Sequence, residues 1–216
     1  MKAILFDMDG LMVDTERLYI ETESALAESF GKKLTEETIG EMMGKKAVEA
    51  MAIYIRDLGL SIEVEEMIRI RERLYEEKLR AELVPLPGLF EMLQEYRNTL
   101  SLAIATGSSR KFLDIVLEKL KIREYFQALQ TADEIVHGKP DPEIYIKTAG
   151  KLGIPPAECI ILEDSQNGAL AGKRAGCYTI AIPSPYTCKQ DFSFVDYRAA
   201  DLHEARQHIR EKFFQE

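Results

Sequence analysis

Asp7 and Asp9 flank a single methionine in the stretch Ile4-Leu5-Phe6-Asp7-Met8-Asp9-Gly10. The short apolar run before them reads as a buried strand, and residues two apart in an extended chain point to the same face. Both carboxylates can therefore look into one site at the carboxyl end of that strand, where open parallel sheets place their ligands. Two anions facing one cleft repel unless a cation lies between them, and an oxygen-rich site of this kind suits Mg2+. The chemistry that fits is phosphoryl transfer. Asp7 would attack phosphorus and form an aspartyl phosphate; Asp9 would protonate the leaving oxygen and then deprotonate the incoming water or hydroxyl. An Asp-Gly pair after an apolar run is also a hairpin signal, and this stretch alone leaves both readings open.

Three later segments carry residues that such a reaction needs. Thr106-Gly107-Ser108-Ser109 follows an apolar run at 100–105 and precedes a helical pattern. Backbone N–H groups and hydroxyls of Thr106, Gly107 and Ser108 can hold a phosphate there, while Ser109 can cap the helix. Gly138-Lys139-Pro140-Asp141-Pro142 places a lysine on a constrained loop; its ammonium could neutralise phosphate and the attacking carboxylate, or simply face solvent. Glu163-Asp164 closes the apolar run Cys159-Ile160-Ile161-Leu162, a costly place for two acids unless they are solvated or bind a metal. Asp164 is the candidate second metal carboxylate, with Glu163 supporting it directly or through water; Asp164 or Ser165 can also cap the next helix.

The elements that must position these groups alternate. Strand patterns at 100–105, 128–131, 159–162 and 177–182 are interleaved with helical patterns at 89–97, 111–120, 142–152, 167–175 and 202–213, which means βαβ units and a mostly parallel sheet. Residues 15–82 differ. Helices are read at 16–30, from Thr35, over 47–58 and from Ser61 to about residue 82, broken by Gly31, by Gly44-Lys45-Lys46 and by Gly59, with no convincing strand. Arg69, Arg71, Arg73, Lys78 and Arg80, interleaved with glutamates, read mostly as a solvated helix face. Pro85-Leu86-Pro87-Gly88 marks the return to the alternating pattern.

Bulk properties narrow the classes. The chain of 216 residues has 46% hydrophobic content and a formal charge of −9, so it can build a core and lacks the basic balance of a general nucleic-acid binder. No apolar run reaches membrane-spanning length, and Asp7 interrupts the first apolar run too early for a signal peptide. A reducing, cytoplasmic setting is expected. Cys159, Cys177 and Cys188 read as scattered free thiols, the first two in apolar patterns. His137, His203 and His208 lack zinc-ligand spacing and read as surface or loop residues.

Taken in order, Asp7-Met8-Asp9-Gly10, Ala105-Thr106-Gly107, Gly138-Lys139-Pro140 and Glu163-Asp164 resemble the four motifs of the haloacid dehalogenase-like hydrolase superfamily, over essentially the whole chain. The helical block resembles that superfamily's cap of the β-phosphoglucomutase-like type. The resemblance implies a doubly wound α/β core of residues 1–14 and 86–216, a small all-helical cap of residues 15–85, and Mg2+-dependent aspartyl-phosphate chemistry. By position, it implies Asp7 as nucleophile and metal ligand. Asp9 becomes the acid/base, with its backbone carbonyl on the metal. Thr106 and Lys139 are implied on the phosphoryl group, and Asp164 and Glu163 at the metal. The dehalogenase branch lacks the second aspartate of the first motif. β-Phosphoglucomutases typically carry a histidine where this chain has Leu18-Tyr19, and an arginine where it has Lys45-Lys46-Ala47. A lysine lacks the planar fork of an arginine, so a phosphatase is favoured over a mutase. Its expected substrate is a small phosphorylated metabolite such as a sugar phosphate, with Tyr19, Lys45 and Lys46 as cap specificity positions. A non-catalytic binding protein on the same fold is the reading from another class, and the intact acids and Lys139 argue against it. A monomer with no nucleic-acid or membrane partner is expected. The irregular segment 183–197 has no assigned role.

Overall fold

The computed structural model describes residues 1–42, 45 and 47–214. The expected specificity residue Lys46, and Gly44 of the predicted helix break, lie outside the described residues. Two compact units divide the chain, Met1–Asp14 with Val84–Glu216, and Thr15–Leu83.

The first unit is a parallel sheet of β1 (Ala3–Phe6), β2 (Ser101–Ala105), β3 (Ala128–Gln130), β4 (Cys159–Glu163), β5 (Tyr178–Ala181) and β6 (Tyr197–Arg198) in the order β3-β2-β1-β4-β5-β6. The central strand β1 is parallel to both neighbours, with Ala3 opposite Ser101 on one side and Cys159 on the other. That excludes the hairpin reading of Asp9-Gly10. The strand order reverses between β1 and β4, and such switch points are where these sheets place ligands.

Both faces of the sheet are covered, as the continuous apolar strands require. Leu5, Ala103, Ala105 and Ile161 pack with Ile144, Tyr145 and Ala149 of α7 (Glu143–Leu152) and Ala171 of α8 (Gln166–Arg174). The alternate residues Ile4, Phe6, Ile104 and Leu162 are equally buried. On the chain between these strands lie α5 (Leu89–Tyr96) and α6 (Arg110–Leu120), and α9 (Leu202–Phe213) ends the unit; α5 packs against β2 and α9. Each helix turns an apolar stripe inward, as Leu89, Met92, Leu93 and Tyr96 do in α5.

The second unit is helical among its described residues: α1 (Thr15–Ser29), α2 (Glu36–Met42), α3 (Ala47–Leu58) and α4 (Val64–Glu82). Leu26, Met42, Met51, Tyr54 and Met67 form its core. Two expectations change here. Ser61 does not cap α4, which starts behind Glu63. Arg71 is not on a solvated face: it is 13% exposed, and its Nε donates to Glu23 Oε1 at 2.7 Å, a carboxylate that is itself 1% exposed. Further along the same run, Arg80 pairs at the surface with Glu76.

In the sheet unit β6 was not foreseen. His208 is also more than a surface residue: its ring stacks on Tyr197 at 3.6 Å and its Nε2 lies 2.9 Å from the Tyr178 hydroxyl. All three thiols are free, with Cys188 exposed. No helix among the described residues is long and apolar enough to cross a membrane.

Candidate active site

Asp7 follows β1 directly, and its N–H still donates to Leu162 O of β4 at 3.0 Å. The chain then turns tightly. Gly10 has φ 72°, which an L side chain rarely adopts, and Met12 N donates back to Met8 O at 2.9 Å. The turn leaves Asp7 5% exposed and Asp9 partly exposed.

The neighbouring strand β2 ends at Ala105, and Thr106 after it is fully buried. Thr106 Oγ1 donates to Asp9 Oδ2 at 2.9 Å, and Ser108 Oγ donates to the same oxygen at 2.8 Å. Ser108 N donates to Thr106 Oγ1 at 2.9 Å. Gly107 is exposed at the turn. Ser109 occupies the cap position of α6 but makes no capping bond through its side chain. The Asp133 carboxylate accepts from Arg110 N instead, at 2.7 Å.

Lys139 joins the first and last motifs. Its Nζ donates to Asp7 Oδ1 at 2.5 Å, to Glu163 Oε1 at 2.6 Å and to Ala105 O at 3.3 Å. The loop that carries it is tied to α7, because the Glu143 carboxylate accepts from Val136 N and His137 N. Pro142 sits just ahead of α7, where its missing N–H costs nothing.

Glu163 is completely buried at the end of β4. Its Oε1 accepts from Lys139 and from the Tyr145 hydroxyl at 2.7 Å; its Oε2 accepts from Ser165 N at 3.1 Å and Ser165 Oγ at 3.0 Å. Ser165 is the cap of α8, accepting from Gly168 N at 3.2 Å, so that Asp164 is not the capping residue. Asp164 is 5% exposed.

Burial is the largest influence on Asp7 and pushes its carboxyl well above the ordinary range; Lys139 opposes this, while Glu163 and Asp9 add to it. On Lys139 burial acts downward, but Asp7 and Glu163 outweigh it and hold the ammonium well above its ordinary value. One oxygen each from Asp7, Glu163 and Asp164 lie within 4.8 Å of one another. Three buried carboxylates thus lie together, with the Lys139 ammonium bonded to two of them, Asp7 and Glu163, and buried negative charge gathered in this way favours a nearby cation. A donor set made only of carboxylate oxygens fits a hard divalent ion. The Asp9 side chain is engaged by Thr106 and Ser108 rather than belonging to that group.

In the helical unit, Tyr19 is half-buried with its ring 4.6 Å from the Arg71 guanidinium carbon and edge-on to Tyr75. Burial, reinforced by Glu23, pushes its hydroxyl to about 12. Lys45 is exposed. Sequence reading missed Tyr145, whose only signal is an aromatic residue soon after the lysine loop.

The model of the haloacid dehalogenase-like hydrolases matches residues 4–182. A phosphorylated carbohydrates phosphatase of Thermotoga maritima is 36% identical over 180 residues, 82% of each chain. Hexitol phosphatase B of Escherichia coli is 31% identical over 188 residues, 85% of this chain and 84% of that one. The crystal structure of CbbY from Rhodobacter sphaeroides in complex with phosphate superposes with a TM-score of 0.83 at 26% identity, covering 94% of this chain and 95% of that one. With its motif residues gathered at the switch point of a parallel sheet and the family match spanning most of its length, the chain belongs to the haloacid dehalogenase-like hydrolases.

Proposed function

We propose that this hydrolase is a Mg2+-dependent phosphatase of small phosphorylated metabolites, sugar and polyol phosphates among them, working through an aspartyl phosphate on Asp7. The observation that carries the reading is Lys139 Nζ bridging Asp7 Oδ1 and Glu163 Oε1. It brings residues far apart in the chain to one locus, with Asp9 held beside them by Thr106 and Ser108. The relatives named as phosphatases of phosphorylated carbohydrates and hexitols support the substrate class.

In this reading Asp7 is the nucleophile, and Lys139 reduces the charge that the phosphoryl oxygens meet on approach. Asp9 gives a proton to the leaving oxygen and then takes one from water. Thr106 and Ser108 aim its carboxylate, and with Gly107 they line the phosphoryl group. Asp7 and Asp164, with the Asp9 backbone carbonyl, would hold Mg2+, with Glu163 supporting them from beside, and the ion when bound screens the carboxylates and polarises the phosphoryl oxygens. Selectivity for the leaving group is assigned to the helical unit, with Tyr19 and Lys45 as the described candidates.

The test is release of inorganic phosphate from p-nitrophenyl phosphate and from a panel of sugar and polyol phosphates, with Mg2+ and with chelator. The expected result is hydrolysis that needs Mg2+ and disappears in a folded Asp7→Asn protein. Hydrolysis that survives Asp7→Asn would overturn the assignment, and conversion of β-glucose 1-phosphate to glucose 6-phosphate without phosphate release would replace it with a mutase.

A further inference from the structure

A strand fixes the direction in which an acid pair leaves it, but the turn after the strand decides where the carboxylates point. Here that turn, residues 163–166, is gripped by the segment that follows β5. Ile182 N donates to Glu163 O at 2.7 Å. Thr187 Oγ1 donates to Asp164 O at 2.7 Å. Gln190 Oε1 accepts from Gln166 N, also at 2.7 Å. Thr187 is only 3% exposed although it lies in irregular chain. Its hydroxyl is fixed from behind, accepting from Ser184 N at 2.9 Å and lying 3.1 Å from Ser184 Oγ. A carbonyl oxygen can only accept, so in the 2.7 Å contact the Thr187 hydroxyl gives its proton to Asp164 O.

We propose that Thr187, seconded by Gln190, is a positioning residue for the cation site: it locks the peptide plane after Asp164 and so pre-orients that carboxylate. Segment 183–191 then has a role, as a strap across the acid-pair turn. The proposal rests on the Mg2+ reading above. Partners one shell out from a metal ligand typically change metal affinity by about 10- to 100-fold. Thr187 acts through a backbone carbonyl, which places it at the low end.

The experiment is calorimetric titration of Mg2+ into the whole protein, with thermal melting alongside. Thr187→Val keeps the shape and removes the donor; its Mg2+ dissociation constant is expected to rise about tenfold. Thr187→Ser restores the donor and is expected to stay within about twofold of the parent. A purely structural role would lower the melting temperature of Thr187→Val and leave the dissociation constant alone, and that result overturns the proposal. Should Thr187→Val not fold, Gln190→Leu carries the test: weaker Mg2+ binding supports the strap and an unchanged constant rejects it. Absence of Mg2+ binding by the parent protein would instead overturn the reading beneath, whereas equal binding by parent and variants overturns this assignment alone.

Discussion

Gly168 lies directly over the Glu163 carboxylate: a Cβ there would stand 1.7 Å from Oε1, 2.0 Å from Cδ and 2.3 Å from Oε2. The far end of a side chain can often move aside, but this one is completely buried and held by four donors from Lys139, Tyr145 and Ser165. Glycine to alanine inside a helix ordinarily stabilises by up to about 1 kcal/mol. At position 168 the sign should reverse. Gly168→Ala is expected to lose about 3 kcal/mol in urea unfolding, through overpacking, and to lower phosphatase kcat more than about tenfold, since Lys139 shifts with Glu163. A stabilised, active Gly168→Ala protein would show that Glu163 does not occupy this position.

Tyr145 and Lys139 share Glu163 Oε1, and the Lys139 ammonium also lies 5.2 Å from the Tyr145 ring centre. Tyr145→Phe keeps the ring and removes one donor, while Oε1 retains the lysine. The expected cost is near the low end for a lost buried hydrogen bond, about 1 kcal/mol. If that loss is felt in the transition state and not in the enzyme–substrate complex, kcat falls about fivefold. Steady-state kinetics on p-nitrophenyl phosphate at saturating Mg2+ would check this, and an unchanged kcat would show that Lys139 needs no such support.

How much of this was legible beforehand follows the range of each signal. Asp7, Asp9 and the pair Glu163-Asp164 interrupt apolar strands, and Lys139 stands in a Gly-Pro frame; local sequence marks such punctuation. The parallel sheet follows from the alternation of strand and helix. Strand β6 was missed because its two residues pair with β5 from within polar, Pro-containing chain, where no period is visible. Ser109 was expected as a cap, but Asp133, distant by 23 residues from the N–H it accepts, serves there. Arg71 sat in a charge-rich run whose pattern cannot reveal that one member turns inward. Tyr145 and Thr187 reach the acid pair across 18 and 23 residues, contacts that exist only once the sheet has formed.

The lysine loop gives a pH signature. Glu143 is held down to about 2 by its hydrogen bond to Lys147 first, then by the N–H groups of His137 and Val136, against an ordinary value of 4.5. In this range the folded protein binds fewer protons than the unfolded chain, so stability rises with pH there. The contribution is therefore complete above about pH 4.5 and fades as pH falls toward 2. Protection of the Val136 and His137 amides, taken relative to their intrinsic exchange rates, should fall on acidification through that window. Glu143→Gln should remove this fall and show lower protection even at neutral pH. Equal exchange in parent and variant would detach Glu143 from the loop.

The buried pair in the helical unit makes the sharpest stability test. Glu23 is raised above its ordinary value by burial, with Arg71 opposing, and Arg71 is the cation bonded to it. Removing one partner of a buried pair strands the other charge, so Arg71→Met is expected to cost about 3 kcal/mol at pH 7. The double change Glu23→Gln with Arg71→Met removes both charges and should recover most of that loss, because neutral replacement of a buried pair is often tolerated. Acidification distinguishes this from lost packing. A carboxyl whose folded value exceeds its unfolded one favours the folded state increasingly as pH falls. The Arg71→Met protein should therefore gain stability relative to the double variant between pH 7 and pH 5, a shift read from urea midpoints. A pH-independent difference between the two proteins would mean that Arg71 supports the unit by packing on Tyr19 and Tyr75 rather than by neutralising Glu23.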